Sequence, residues 1–325
     1  MQILGIQGSP RKQGNSHHLL REVLGACEDQ GAQTHWIQAG EDGIEPCREL
    51  LVCEKKGFCP IRDEMASVYG QIYRADAIVL ASPVFFYNVS AQLKVLIDRC
   101  QMFWGRRYKL GLAHPRATLR RGSLLAVAAS QGNRLFEGLE LTARYFFDAV
   151  SARDFPPILH RGVEAAGEIR GAPGLEGEVL TLARKLTRPL HEMDHLLFIS
   201  RQDAFIGPMA AAYANVYAKG RLHAHSAGIQ PRKAVKEDML IAMAGEKLDL
   251  KYTLPQHLDG VSAQWFSRRL PRWVVVTHPD IPRDILPGVR AMRMDVLNRG
   301  GDPRALCRQV AEGVARVMAR LDGGD

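Results

Sequence analysis

Residues 8–16, Gly8-Ser9-Pro10-Arg11-Lys12-Gln13-Gly14-Asn15-Ser16, decide how this chain is read. The apolar run before them, Gln2 to Gln7 (QILGIQ), reads as a strand. In the segment after them, Ser16 to Asp29, Leu19, Leu20, Val23, Leu24 and Cys27 recur at helical spacing. A strand, a small polar loop and a helix start bring free backbone N–H groups and the positive end of a helix dipole to one place. That combination predicts a phosphate-holding loop; an ordinary polar turn capped by Ser16 or Asn15 is the competing reading. Glycines stand only at 8 and 14, so a G-x-G-x-x-G fingerprint is absent, and Gly14 is followed by Asn15 rather than by the Lys and Ser/Thr of a Walker loop. A single terminal phosphate, ringed by hydroxyls and amides, fits what remains.

Two further loops belong with the first. Ala77 to Ala81 (AIVLA) is an almost continuous apolar run, suited to a parallel strand buried on both faces, and it ends in Ser82-Pro83-Val84-Phe85-Phe86-Tyr87-Asn88. Ser123 to Ala129 (SLLAVAA) is another such run and ends in Ser130-Gln131-Gly132-Asn133. Ligands of open α/β sheets bind beyond the carboxyl ends of the strands, and flavodoxin-like folds hold FMN there. Three loops at that edge can hold a phosphate, the face of a ring and its polar rim. Gln33 to Gln38 reads as a further strand, Ile44 to Met65 as a loop, and Ala66–Tyr73, Ala91–Cys100 and Gly177–Leu190 as helices.

Composition sets outer bounds. With 325 residues, two domains are expected, and 46% hydrophobic with 24% charged residues describes a globular chain rather than a disordered one. Met1 is followed at once by a strand, and no apolar run approaches the ~18 residues of a membrane span, so a cytoplasmic protein without membrane partners is expected. The net charge of +8 is diffuse and interleaved with acids, which argues against a nucleic-acid partner and suits anionic cofactors. Of six cysteines, Cys47, Cys53 and Cys59 crowd into one short stretch, while Cys27, Cys100 and Cys307 fall singly in helical patterns as core residues.

Taken together, GSPRKQGNS, the spacing C-x5-C-x5-C-x3-D-x-M that runs from Cys47 to Met65, and ADAIVLASPVFFYNVSAQLKVLIDR resemble the NADPH-dependent FMN reductase family, and within it the iron–sulfur flavoprotein branch. The resemblance covers roughly residues 1 to 185 and implies a flavodoxin-like domain over 1–190. It implies FMN phosphate contacts from Ser9, Arg11, Asn15 and Ser16, ring contacts from Pro83, Val84, Phe85, Phe86 and Asn88, and closure by Ser130, Gln131 and Gly132. NAD(P)H is the implied co-substrate and a homo-oligomer the implied assembly. No catalytic acid or base is named, because the flavin itself carries the redox chemistry.

The branch places four compact cysteines around a 4Fe–4S cluster, one thiolate to each iron. Cys47, Cys53 and Cys59 fall on its first, third and fourth positions, and Leu50 occupies the second. The alternatives are a cluster on three thiolates, with a further ligand from elsewhere, or a cluster-free remnant of the loop; a closed zinc site is short of the same ligand.

A second unit begins near residue 191. His195–Ser200 (HLLFIS) and Trp273–Thr277 read as strands, Met209–Lys219 and Asp302–Leu321 as helices. FIS, HSAGIQP (225–231) and the closing MDVLNR segment resemble the low-molecular-weight protein tyrosine phosphatase and arsenate reductase family. This implies a second doubly wound parallel-sheet domain over 191–325. Its reacting groups are replaced: Ser200 stands at the nucleophilic cysteine, Ile206 at the phosphate-binding arginine, Gly207 at the Ser/Thr that follows, and Asn298-Arg299 at the Asp-Pro that supplies the acid. A structural or oligomerisation module, or a pseudoenzyme that senses a ligand in the loop 200–207, is expected in place of a phosphatase. The whole chain then reads as an FMN-dependent oxidoreductase that passes electrons to a small-molecule or redox-protein acceptor. The competing class is a flavin- or ligand-sensing protein without turnover.

Overall fold

The computed structural model describes residues 1–40, 43–267, 269–289, 291–294, 296 and 302–323. The chain divides into two compact units. One comprises Met1–Gly111 and Leu119–Leu190, the other Leu112–Thr118 and His191–Asp325.

In the first unit the order is β1 (Gln2–Gln7), α1 (Asn15–Asp29), β2 (Gln33–Gln38), α2 (Val52–Lys56), α3 (Met65–Arg74), β3 (Ala77–Pro83), α4 (Ala91–Arg99), α5 (Gln101–Trp104), β4 (Arg121–Ala128), α6 (Glu137–Ala149), β5 (Arg153–Asp154), β6 (Ile158–Arg161) and α7 (Leu175–Glu192). The strands form a parallel sheet in the order β2-β1-β3-β4-β5, with β6 also on β4. The order reverses between β1 and β3, so the loops after these two strands diverge and leave a crevice at the carboxyl edge, as in flavodoxin-like sheets.

Register explains the layers. Gly5, Val79 and Ser123 stand level across β1, β3 and β4, and Leu4, Ile78 and Gly122 stand one residue earlier. Successive side chains point to opposite faces. A Cβ at Gly5 would meet Leu20 and Leu24 of α1, whereas one at Gly122 would meet Phe147 of α6. Helices therefore cover both faces, which is why β3 and β4 are apolar almost throughout and buried along their length.

Sequence periodicity does not announce five of these elements. The 44–65 loop contains the short α2, α5 follows the expected helix end at Cys100, α6 follows the 130–133 loop, and the Gly- and Pro-rich stretch from Arg153 contributes β5 and β6. The two-residue β5 and four-residue β6 are too brief for a period to register.

The second unit runs β7 (Asp194–Ser200), α8 (Ile206–Ala218), β8 (Leu222–Gly228), α9 (Glu237–Gly245), α10 (Leu258–Trp265), β9 (Trp273–Val276), β10 (Met292–Arg293) and α11 (Pro303–Asp322). Its parallel sheet has the order β10-β9-β7-β8, again with a reversal beside the first strand. Leu196 and Phe198 of β7 and Leu222 and Ala224 of β8 face a core shared with Met209 of α8 and Val310 and Val314 of α11. The segment Leu112–Thr118 joins this unit through a bridge between Ala113 and Leu248, closed by Ala113 N–H to Lys247 O at 2.8 Å and Asp249 N–H to Ala113 O at 2.9 Å. Among the described residues no helix is long and apolar enough to cross a membrane.

Candidate functional site

The loop after β1 is pinned to the loop after β3. Gly8 N–H donates to Ala81 O at 2.7 Å, and Ser90 Oγ donates to Gly8 O at 2.5 Å. A Cβ at Gly8 would lie 2.8 Å from Leu93 Cβ and 3.0 Å from Ala81 O, so only glycine permits this approach. Ser9 is buried; its N–H donates to Gln7 Oε1 and its carbonyl accepts from Gln38 Nε2, while Ser9 Oγ accepts from Arg11 N–H at 3.2 Å.

Helix α1 then starts without a side-chain cap. Its N-cap is Gly14 in extended conformation, and the first turn holds no acid. The first intrahelical bond of this turn is His18 N–H to Gly14 O, so the N–H groups of Asn15, Ser16 and His17 have no place in the helical ladder and point from the positive end of the helix. Two polar atoms at the same end are buried without a partner among the described residues, Gln7 Nε2 and His17 Nδ1. Burial, with His18 and Arg21 nearby, holds His17 below the ordinary imidazole range. Unpaired donors at a helix start match a phosphate, and the loop around them is tight, since a Cβ at Gly14 would lie 3.1 Å from Arg11 Cβ and 3.3 Å from Ser9 Oγ. Arg11 is exposed at the rim. Asn15 is engaged elsewhere: its Nδ2 donates to Ala165 O at 2.8 Å and its Oδ1 accepts from Ile169 N–H at 3.3 Å. What Asn15 offers an anion is its backbone N–H, and its side chain braces the loop against the 165–169 segment. His17 was not singled out from sequence; its place in the first turn after a glycine N-cap was the available signal.

Beyond β3 the chain makes a tight reversal. Phe85 and Asn88 exchange N–H···O bonds of 2.9 and 3.0 Å, and Phe86 and Tyr87 between them both have positive φ, +48° and +60°. That is a type I′ arrangement, which prefers Asn-Gly, yet two aromatics occupy it. Each such residue costs on the order of 1–3 kcal/mol. Phe85 and Tyr87 are about half exposed and Phe86 is fully exposed. Asn88 Oδ1 accepts from Val89 N–H and Thr142 Oγ1, which fixes the turn on α6. The Ser130–Gly132 loop reaches the same place: a Cβ at Gly132 would lie 3.5 Å from Tyr87 Oη. Pro83 and Val84 lead into the turn, with Val84 N–H on Val127 O at 3.0 Å. The expected ring residues thus gather at one strand edge, presenting aromatic surface that no core claims.

Cys47, Cys53 and Cys59 line one cavity of about 380 Å³ together with Leu50, Leu51 and Val95. Cys47 is exposed, Cys53 and Cys59 are half-buried, and all three are free thiols. Burial and the neighbouring Cys59 and Cys47 push the Cys53 thiol up.

The loop hangs on Arg99, a buried side chain of α4 that sequence reading passed over. Its guanidinium grips both carboxylate oxygens of buried Asp63 at 2.5 and 3.0 Å, donates to Glu45 O at 2.7 Å and reaches Cys59 Sγ at 3.5 Å. Burial alone would raise the Asp63 carboxyl. Hydrogen bonds from Arg99 and from the Glu45 and Met65 amides outweigh it and hold the group below the usual carboxylate range. Arg99 thus sets a fixed cation beside the Cys59 sulfur.

In the second unit, Ser200 ends β7, Ile206 opens α8 and Gly207 follows, so the loop between them again joins a strand to a helix start. The centre of that loop is filled by its own carboxylate. Asp203 is buried with φ +46°; its N–H donates to Ser200 Oγ at 2.9 Å, its Oδ2 accepts from Gln256 N–H at 2.8 Å, and Ser226 also faces it. Burial pushes this carboxyl up to about 7 against those hydrogen bonds. Asn298 and Arg299 lie outside the described residues.

Comparison with known proteins bears on the first unit. The family model of the NADPH-dependent FMN reductases matches residues 1–160. An iron–sulfur flavoprotein of Methanocaldococcus jannaschii is 31% identical over 199 residues, 61% of this chain and 99% of its own length. A second iron–sulfur flavoprotein of that organism is 28% identical over 202 residues, 59% of this chain and 96% of its own. Among solved structures, an NAD(P)H:quinone oxidoreductase from Methanothermobacter marburgensis superposes with a TM-score of 0.41 at 17% identity, over 60% of this chain and 98% of its own.

Proposed function

The chain belongs to the NADPH-dependent FMN reductase family, and we propose that its first unit seats one FMN at the β1/β3 switch point and carries electrons from NAD(P)H, or from a reduced carrier, to a small-molecule or redox-protein acceptor. The protein is an FMN-dependent oxidoreductase. The observation that carries the seating is the uncapped start of α1, where the amides of Asn15, Ser16 and His17 and the orphaned Gln7 Nε2 converge. When bound, the flavin supplies hydride and single-electron chemistry.

The chain's own residues hold and orient it. The α1 amides, with Ser9 and Ser16 beside them and Arg11 at the rim, take the phosphate. The 83–88 turn offers aromatic faces and backbone groups to the ring, and Ser130–Gly132 offers polar groups to its edge. No side chain is assigned a proton transfer. The test is anaerobic titration of the flavin-free chain with FMN, followed by NADPH and a quinone. One FMN per chain, reduced by NADPH and reoxidised by the quinone, is expected. Tight binding with no reduction would favour the sensing alternative.

A second reading concerns the cysteine loop. Cys47, Cys53 and Cys59 around one cavity, with Arg99 on the Cys59 sulfur, supply three thiolates and a charge-balancing cation for a 4Fe–4S cluster, with the fourth position at Leu50 open to an outside ligand. A cluster there would move the chemistry from hydride-driven reduction toward single-electron transfer.

For the second unit, the strand order beside β7 and the loop 200–207 suit the low-molecular-weight phosphatase architecture. The buried Asp203 side chain favours a structural or oligomerisation role, because it occupies the loop at the start of α8 where an oxyanion would sit.

A further inference from the structure

His195 on β7 and His223 and His225 on β8 are separated by up to thirty positions, yet parallel pairing sets His195 level with His223 and Leu197 level with His225. The two-residue period then turns all three imidazoles to the same face of the sheet, opposite the face that carries Leu196, Phe198 and Ala224 into the core. One ligand nitrogen from each lies within 4.8 Å of the other two, and His195 Nδ1 is 2.9 Å from His225 Nε2. The rings are almost wholly enclosed, at 3%, 2% and 8% exposure. Trp265 at the end of α10 covers them, with its ring centroid 4.6 Å from that of His223 and 4.4 Å from that of His225.

A core histidine ordinarily satisfies its nitrogens, and His223 does not. Neither Nδ1 nor Nε2 of His223 has a hydrogen-bond partner among the described residues. Leaving both buried and unpaired is costly, since each has given up its hydrogen bonds to water without a partner in exchange. Burial, with His225, Arg116 and His195 nearby, holds His223 well below the ordinary imidazole range, and the same holds for His225. An imidazole carries a proton on one nitrogen and a lone pair on the other, so the two unpartnered nitrogens of His223 leave one lone pair to coordinate.

We propose that His195, His223 and His225 form a three-nitrogen site for a single late d-block cation, held by imidazole alone beneath Trp265. Neutral imidazoles suit copper, zinc and nickel, and an oxygen-seeking ion such as magnesium or calcium finds no carboxylate in the trio. Charge narrows the choice. No acid in the trio offsets the charge of a buried ion, so a monovalent cation is favoured over a divalent one, and the Trp265 face would stabilise it further.

The experiment uses the full chain carrying Cys47→Ser, Cys53→Ser and Cys59→Ser, which removes the exposed and half-buried thiolates as competitors. Under anaerobic conditions it is titrated with Cu(I), and separately with Zn(II), each against a chromophoric chelator, and the complex is examined by X-ray absorption. One metal per chain, ligated by nitrogen with imidazole outer-shell scattering, is expected, with Cu(I) bound more tightly than Zn(II). His223→Phe keeps a ring of similar volume and should weaken binding by about 100-fold or more, beyond the 10–100-fold typical of losing an outer-shell partner. In the parent chain, which needs no change in the trio, the metal should raise the melting temperature. Binding of neither metal, sulfur scattering, or affinity unchanged by His223→Phe would overturn the site. Tighter binding of Zn(II) would overturn the preference for a monovalent ion.

Discussion

Leu50 and Asp203 show how single residues set the chemistry of each unit. Leu50 is half exposed and lines the cavity shared by the three cysteines, so its side chain stands where a fourth ligand would. Leu50→Cys should increase the iron and acid-labile sulfide that survive brief exposure to air, measured per chain against the parent. Equal lability would argue against a cluster in this loop. Asp203 carries a pH dependence. Its carboxyl titrates near 7 in the folded chain and near ~4 when unfolded. Between those values the folded state binds the extra proton, so stability falls as pH rises from about 4 to about 7 and is flat above. Asp203→Asn should flatten that fall, reducing the stability difference between pH 5 and pH 8 by roughly 2 kcal/mol in urea unfolding. A variant whose pH profile matches the parent would contradict the burial argument.

At the scale of elements, the 85–88 turn sets stability against function. Phe86 is fully exposed and held at positive φ, so nothing in the packing of the first unit requires its ring. Phe86→Gly should leave the flavin-free chain as stable as the parent, or up to about 1 kcal/mol more stable. The same change should weaken FMN binding about tenfold, ~1.4 kcal/mol. Loss of stability with unchanged flavin affinity would make the turn a structural device. This turn could be located from its sequence, because aromatics straight after a buried strand and a proline have no core to enter. Its backbone signs could not, since the I′ geometry is imposed by the pairing of Phe85 with Asn88 rather than by residue preference. The loop from Gly8 to Ser16 was legible for a stronger reason: strand, small residues and helix face follow one another without interruption, and the structure begins α1 within one residue of the reading.

Across the whole molecule, what sequence concealed is what tertiary register creates. Arg99 closes the α4 pattern as an ordinary charged residue, and only the folded chain brings it onto Asp63 and Cys59. The Leu112–Thr118 segment lies within the first half of the sequence but groups with the second unit, which no local composition signals. The three histidines look like scattered strand residues until parallel pairing aligns them. Charge and apolar period therefore locate the sheets, while the polar contacts that give each loop its chemistry arise from distant partners.

The measurement that tests the account most directly is the anaerobic FMN titration of the flavin-free chain and of Gly14→Val, followed by addition of NADPH. The account predicts one FMN per parent chain, loss of the flavin absorption on adding NADPH, and affinity at least about tenfold weaker in Gly14→Val, ~1.4 kcal/mol, because the added side chain presses on Arg11 and Ser9 and displaces the loop. Failure of the parent chain to take up FMN, or undiminished affinity in Gly14→Val, would contradict the assignment of residues 8–16 as the phosphate seat.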